Sequence, residues 1–286
     1  MGCIRHLEKL GGGSVTTQAS VPTIRRMDFP FDDSDIPAHW WDDDRLLTRN
    51  ADALHMLFPA GERFFMRSVR AFVPQIKDPE LLERVRGFMG QEAMHGREHR
   101  RAFALLERDG IEYESFLDEY ENRWLKRLEQ RSHPMNNLAV TCALEHLTAT
   151  LGASAFADPL IERAHPTMQE LMLWHAAEEV EHKAVAYDVY EAMGGGWLRR
   201  VTGMVVAFVF LMVWWRRGML HLIEQDGGVT RAELRALRHK ANTQGRNVLA
   251  DFWRASMAYI RPGFHPNDID DRHLAEDYFA SRNAAA

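Results

Sequence analysis

Apolar positions recur at helical spacing along most of the chain, and the punctuation between these runs is helical as well. A first helix is predicted from about Asp44 to Leu57, with Pro59 restarting the chain and Glu62 one turn further on. Asp78-Pro79-Glu80 supplies an N-cap, a proline at the first helical position and an early acid. A long helix is expected from there to the stop at Asp109-Gly110. Further helices are read over 111–130, 134–156, 166–193, 197–225 and 230–260. Gly194-Gly195-Gly196 and Gly227-Gly228 separate the later ones, and Thr230 with Glu233 has capping-box spacing. Few stretches alternate with strand period, and no internal repeat is visible. The prediction is all-α. A single helical domain over 41–286 holds a metal-binding bundle at about 44–193 and additional helices at about 197–283. Residues 1–40, with Gly11-Gly12-Gly13, a Ser/Thr run and three prolines, read as a flexible tail.

Val201 to Trp215 is an almost continuous apolar run bracketed by Arg199-Arg200 and Arg216-Arg217. Fifteen helical residues span roughly 22 Å, short of the ~30 Å hydrocarbon core of a bilayer. Two readings compete: a helix buried in the bundle or in a homodimer interface, and membrane-surface association through 197–217 with Arg and Trp at the flanks. A transmembrane span ranks last.

Composition narrows the function classes. Thirty-five basic and 41 acidic residues leave a net charge of −6, which gives no electrostatic footprint for nucleic acid. The two cysteines, Cys3 and Cys142, argue against a disulfide framework or a thiolate metal site. Met1 to Ser20 has no apolar signal core, so a cytoplasmic protein is expected. Met1-Gly2-Cys3 hints at acylation, but His6 stands where that pattern wants Ser or Thr. Histidine, with 14 copies, is the enriched chemical type, and it is the commonest side-chain metal ligand.

Glu92 and His95 are three apart in the long helix 79–109 and share one face. Glu179 and His182 repeat that spacing in helix 166–193, and His175 lies one turn before Glu179. At about 100° per residue, His175, Glu179 and His182 fall within an arc of about 60°. A third Glu-x-x-His, Glu162 to His165, runs into Pro166 and is set aside, because no continuous helix face presents both groups. One such pair is weak evidence. The pattern of four is stronger: two-metal bundles take one Glu from each of two helices and Glu-x-x-His from each of two others. Glu62 and Glu145, each in an apolar stretch, complete it. The predicted metal ligands are therefore Glu62, Glu92, His95, Glu145, His175, Glu179 and His182. His99 and Glu178 are read as outer-sphere or surface groups, and His146, about 100° away from Glu145, as no ligand. Four carboxylates match the charge of two divalent cations; without metal they would repel one another and raise their own pKa values.

These residues resemble the ferritin-like superfamily of carboxylate-bridged di-metal proteins, which implies a four-helix bundle with a di-metal centre. The extra histidine of His175-x-x-x-Glu179-x-x-His182 looks like the subgroup typified by the para-aminobenzoate N-oxygenase, in which three histidines and four glutamates hold two irons. Trp174 to Lys183, together with Tyr259 to Pro266, is similar to a bacterial family of predicted metal-dependent hydrolases, and the resemblance covers roughly residues 25–275. Iron is the expected metal, with manganese or zinc as alternatives. The leading expectation is a di-iron enzyme activating dioxygen to oxidise a small, rather apolar organic substrate. The alternatives are a hydrolase in which two metals lower the pKa of a bridging water, and a non-enzymatic metal-binding or membrane-associated bundle.

Overall fold

The computed structural model describes residues 20–32, 35–245 and 247–285. Helix α1 (Arg45–Arg70) starts where Asp44 accepts the backbone N–H groups of Leu46 and Leu47. It runs on through Pro59, where a restart was expected. One missing donor does not end a helix whose flanking turns are packed: Met56, Leu57, Ala60 and Phe64 around the proline are all buried. Helix α2 (Pro79–Arg108) has the predicted Asp78 cap, and Gly110 just beyond it takes φ +71°, a conformation that favours glycine.

A short α3 (Glu114–Leu117), a π-wound stretch (Asp118–Leu125) and α4 (Lys126–Arg131) fill the predicted 111–130 segment. Helix α5 (Pro134–Phe156) matches its prediction. The helix expected over 166–193 is two: α6 (Pro166–His182) and α7 (Val185–Ala192). Its break falls at Lys183, whose ammonium is drawn to the Ile269 carbonyl and Asp271. Helix α8 (Trp197–Gln225) follows, then α9 (Arg231–Thr243) with the Thr230–Glu233 capping box in place, α10 (Val248–Tyr259) and α11 (Arg272–Ala285). The segment 230–260 is thus interrupted near Gly245 rather than continuous.

The fold is all-α. Among the described residues there is no strand, only an isolated bridge between Trp41 and Ala164. Helices α1 and α2 form one hairpin and α5 and α6 another, and α1 meets α5 while α2 meets α6. Helix α8 lies across α1 and α5, α10 packs on α5, and α11 on α6. Helix α5 is consequently apolar and buried on every side. Phe64 of α1, Phe88 of α2 and Leu138 and Leu147 of α5 share the main core without solvent contact, each stabilising by about 1.5–3 kcal/mol.

One expectation is corrected. Residues 1–19 of the predicted tail lie outside the described residues, but Phe29, Phe31, Ile36 and Trp40 are buried against Met168, Leu171 and Trp174, so this part is core. The aromatic anchors outweigh the prolines between them. The apolar run 201–215 is buried on one face only, through Gly203, Met204, Ala207 and Trp214.

Candidate metal centre

All seven predicted ligands are buried and face one another between the two hairpins. Glu62 comes from α1, Glu92 and His95 from α2, Glu145 from α5, and His175, Glu179 and His182 from α6. Their ligand atoms form three triads, each with all members within 4.8 Å of one another. Glu62, His95 and His175 make one, and Glu92, Glu145 and His182 another, with no member shared. The third, Glu92, His95 and Glu179, spans the space between them. Two cation positions with bridging carboxylates is the arrangement this overlap can hold.

His182 Nε2 lies 3.0 Å from Glu92 Oε1 and 3.2 Å from Glu145 Oε2. His95 Nδ1 lies 4.0 Å from Glu92 and 3.8 Å from Glu179, and His175 Nε2 lies 2.8 Å from Glu179. Gly96, next to His95, leaves the room that Glu62 occupies: a Cβ there would stand 2.8 Å from Glu62 Oε2.

The fit to cations rests on unsatisfied atoms. Thirteen buried side-chain nitrogen or oxygen atoms among the described residues make no well-directed hydrogen bond, His182 Nε2 meeting Glu92 and Glu145 by proximity of charge alone. Eight belong to this cluster: both oxygens of Glu62, Glu92 and Glu145, His95 Nδ1 and His182 Nε2. Each buried orphan costs about 1–3 kcal/mol, so their concentration in one place needs a compensating charge. Without one, burial and then Glu145 push Glu92 up to about 8, while burial pushes Glu145 up to about 7. Glu62 is raised as well, by burial and then by Glu92. Glu179 goes the other way: burial opposes its ionisation, but His182 and His175 outweigh that and hold it well below the ordinary range. His182 is raised in turn, since Glu179, Glu145 and Glu92 overcome its burial.

The three rings are fixed from behind. His95 Nε2 is 3.0 Å from Glu178 Oε2, and Glu178 is in turn 3.0 Å from Arg25. His182 Nδ1 meets Gln91 Oε1 at 2.9 Å, while the Gln91 amide nitrogen donates to the Thr23 carbonyl and to Glu181. His175 Nδ1 is 2.6 Å from His99 Nε2, and His99 Nδ1 is 2.8 Å from His55. Thr148 donates to Glu179 Oε2 at 2.5 Å. Each ring thus has one nitrogen engaged outward and turns the other toward the carboxylates, which orients a metal-binding imidazole.

His99 and Glu178 are buried behind His175 and His95 rather than lying at the surface. His146 points away, with Nε2 3.0 Å from the Ala255 carbonyl. Glu162 is exposed and His165 caps α6 through Thr167, so the discarded pair is indeed apart from the cluster. The sequence reading missed Arg25, Gln91, Thr148 and His55. Thr148 lies three residues after Glu145 on the same helix, a spacing that carries a signal. Arg25 had none, because its segment reads as tail.

A cavity of about 40 Å³ lies beside the cluster, walled by Leu57 and Phe65 of α1, Leu144 of α5 and Phe210, Leu211 and Trp214 of α8. Glu62 and Thr148 face it from the cluster, and Tyr120 of the π-wound stretch also lines it.

A helical protein in which four helices converge seven buried carboxylate and imidazole donors belongs to the metal-dependent class. Residues 23–270 match the family described as predicted metal-dependent hydrolase, and the chain belongs to that family. By that membership it is a metal-dependent enzyme. No curated protein and no solved structure matches it significantly.

Proposed function

We propose that the cluster holds two divalent metal ions and that the chain is a hydrolase acting on a small, rather apolar organic molecule. The observation that carries the metal reading is the eight orphaned atoms that five residues, Glu62, Glu92, His95, Glu145 and His182, bring together from four helices, with His175 and Glu179 completing the triads. Hydrolysis as the reaction is supported by membership of the family. Two bound divalent ions would supply Lewis-acid activation of water and polarise a substrate oxygen. The chain's own residues do the rest. Glu92, Glu145, Glu179 and the three histidines hold the charge in place, and Glu178, Gln91 and His99 keep the rings aimed. Glu62, in a triad with His95 and His175, completes the donor set and is the cluster carboxylate whose residue also lines the cavity. The apolar walls select an apolar substrate, and at about 40 Å³ they admit only a few waters until side chains move.

Dioxygen chemistry at an iron pair is the second reading. The observation that favours it is the donor set, four glutamates and three histidines in a site closed to bulk water, together with the resemblance to the N-oxygenase type within the ferritin-like superfamily. Manganese or zinc would suit the hydrolase.

Metal content by mass spectrometry, with absorption spectra before and after exposure to air, tests both. About two zinc or manganese ions per chain with no spectral response, and turnover of chromogenic esters, supports hydrolysis. Two irons with an oxygen-dependent near-ultraviolet band would replace it with oxidation. Glu145→Ala should lose metal while remaining helical, and Glu162→Ala should lose none; equal loss from both would refute the assignment of the site.

A further inference from the structure

Eight of the eleven large apolar residues exposed among the described ones lie on α8 or α10. On α8, Leu198, Val205, Val209 and Val213 are 72%, 58%, 56% and 47% exposed. At about 100° per residue they fall, with Thr202 and Arg216, inside an arc of about 80°. The opposite side of the helix carries the buried Gly203, Ala207 and Trp214. On α10, Leu249, Trp253 and Met257 repeat the pattern at four-residue spacing. The two helices are neighbours: the Trp197 indole N–H donates to the Ile260 carbonyl at 2.8 Å, and Trp215 lies 6.4 Å from Phe252. Two exposed apolar stripes on neighbouring helices mark an interaction site rather than ordinary solvent exposure.

Helix α8 is long and apolar enough to cross a membrane, yet its seating rules out that use. It packs across α1 and α5, and the buried Arg200 donates to the carbonyls of Phe264 and Arg261 at 2.8 and 2.5 Å. Lipid can reach it only from the outer face.

We propose that this face docks on an anionic lipid surface. From Trp197 to Ile223 the helix contains no acid, and exposed arginines stand at both ends of the stripe, Arg199 at one and Arg216 and Arg217 at the other. Arg217 shares its charge with Glu119 at 2.7 Å. On α10 the exposed Arg254 stands next to Trp253. An apolar strip framed by arginine and tryptophan complements a layer of anionic headgroups over acyl chains. A second copy of the chain complements it poorly. Antiparallel self-packing about the middle of the stripe sets Arg199 of one copy against the Arg216–Arg217 end of the other. Parallel packing stacks each arginine on its own counterpart. In both cases cations meet, and α8 offers no acid before Glu224.

The test is co-sedimentation of the full chain, as purified, with phosphatidylcholine vesicles with and without phosphatidylserine. Binding to the serine-containing vesicles is expected, weakened by salt. Arg199→Gln and Arg216→Gln should each weaken it about fivefold. The double change Val205→Asp/Val209→Asp should weaken it by about tenfold or more, with helical content unchanged by circular dichroism. Failure to bind, equal binding to both vesicle types, or binding unaffected by the double change would overturn the proposal. So would a concentration-dependent dimer that the double change dissociates, since the face would then belong to a second copy. Metal content measured on the same samples separates this outcome from the fate of the metal reading, which does not depend on lipid.

Discussion

Gly96 offers a way to displace one ligand without touching any ligand. A Cβ at this position would stand 2.8 Å from Glu62 Oε2, where ordinary contact begins at 3.4 Å. The Glu62 carboxylate would have to retreat by roughly 0.6 Å, the gap between those two distances. Metal–ligand bonds tolerate about 0.2 Å, so a retreat of that size takes Glu62 out of bonding range. The fold, by contrast, has little to lose. The obstructing atom is the end of a flexible side chain, and alanine in a helix interior is about 1 kcal/mol more favourable than glycine. Gly96→Ala is therefore expected to leave the thermal midpoint of the metal-free protein equal or higher, and to weaken metal binding by about 10–100-fold.

The control is Gly61→Ala, one residue before Glu62 on α1, where a Cβ would meet Tyr120 Oη at 3.7 Å and Phe65 Cζ at 3.9 Å, both ordinary contacts. That variant should bind metal as the parent does. Titration of the metal-free proteins with zinc or manganese, followed by metal analysis after gel filtration, reads both. Parental affinity and stoichiometry in Gly96→Ala would show that Glu62 is not a ligand. Loss of helicity would refute the steric argument instead.

Two further outcomes are expected. In the metal-free protein burial, then mutual repulsion among the carboxylates, lifts Glu92 to about 8 and Glu145 to about 7, against about 4.3 in an unfolded chain. The folded state then holds protons that the unfolded one releases, so stability is full below about pH 4.3 and falls as pH rises toward 8. A chelator should lower the thermal midpoint more at pH 8 than at pH 6, and an equal drop would count against the cluster being charged by metal. Arg49, 2% exposed, holds Asp52 at 2.9 Å and Asp226 at 2.6 Å, tying α1 to the end of α8. Arg49→Met should cost about 3–5 kcal/mol in urea unfolding while leaving metal stoichiometry intact.

The helices and the donor set were legible because both follow from spacing within one element. Glu92 with His95, and His175 with Glu179 and His182, declare themselves by the 3.6-residue turn. Caps at Asp78 and Thr230 are equally local, and both are in place. What spacing does not carry is tertiary override. Pro59 reads as a boundary, yet packing on both sides keeps α1 whole. Lys183 reads as mid-helix, yet a carbonyl and an acid some 86–88 residues away end α6 there. The segment holding Arg25 reads as tail because its aromatic anchors are separated by prolines and acids, and their common burial appears only once α2 and α6 are beside them.

The candidate metal centre consequently does not belong to its four helices alone. The ring of His95 is steadied through Glu178 by Arg25, and that of His182 through Gln91 by the carbonyl of Thr23, both from before α1. The turn that follows His182 is held by Ile269 and Asp271, from after α10. A bundle cut at about 44 and 193 would keep all seven donors, with Glu178 and Gln91 behind two of the imidazoles, but lose the Arg25 and Thr23 contacts that hold Glu178 and Gln91 in place. Since groups that orient ligand imidazoles are worth about 10–100-fold in metal affinity, the structural unit around the donors runs from Thr23 to Asp271. The family match over residues 23–270 has almost the same bounds. The matched stretch thus takes in Arg25 and Thr23 as well as the seven candidate donors.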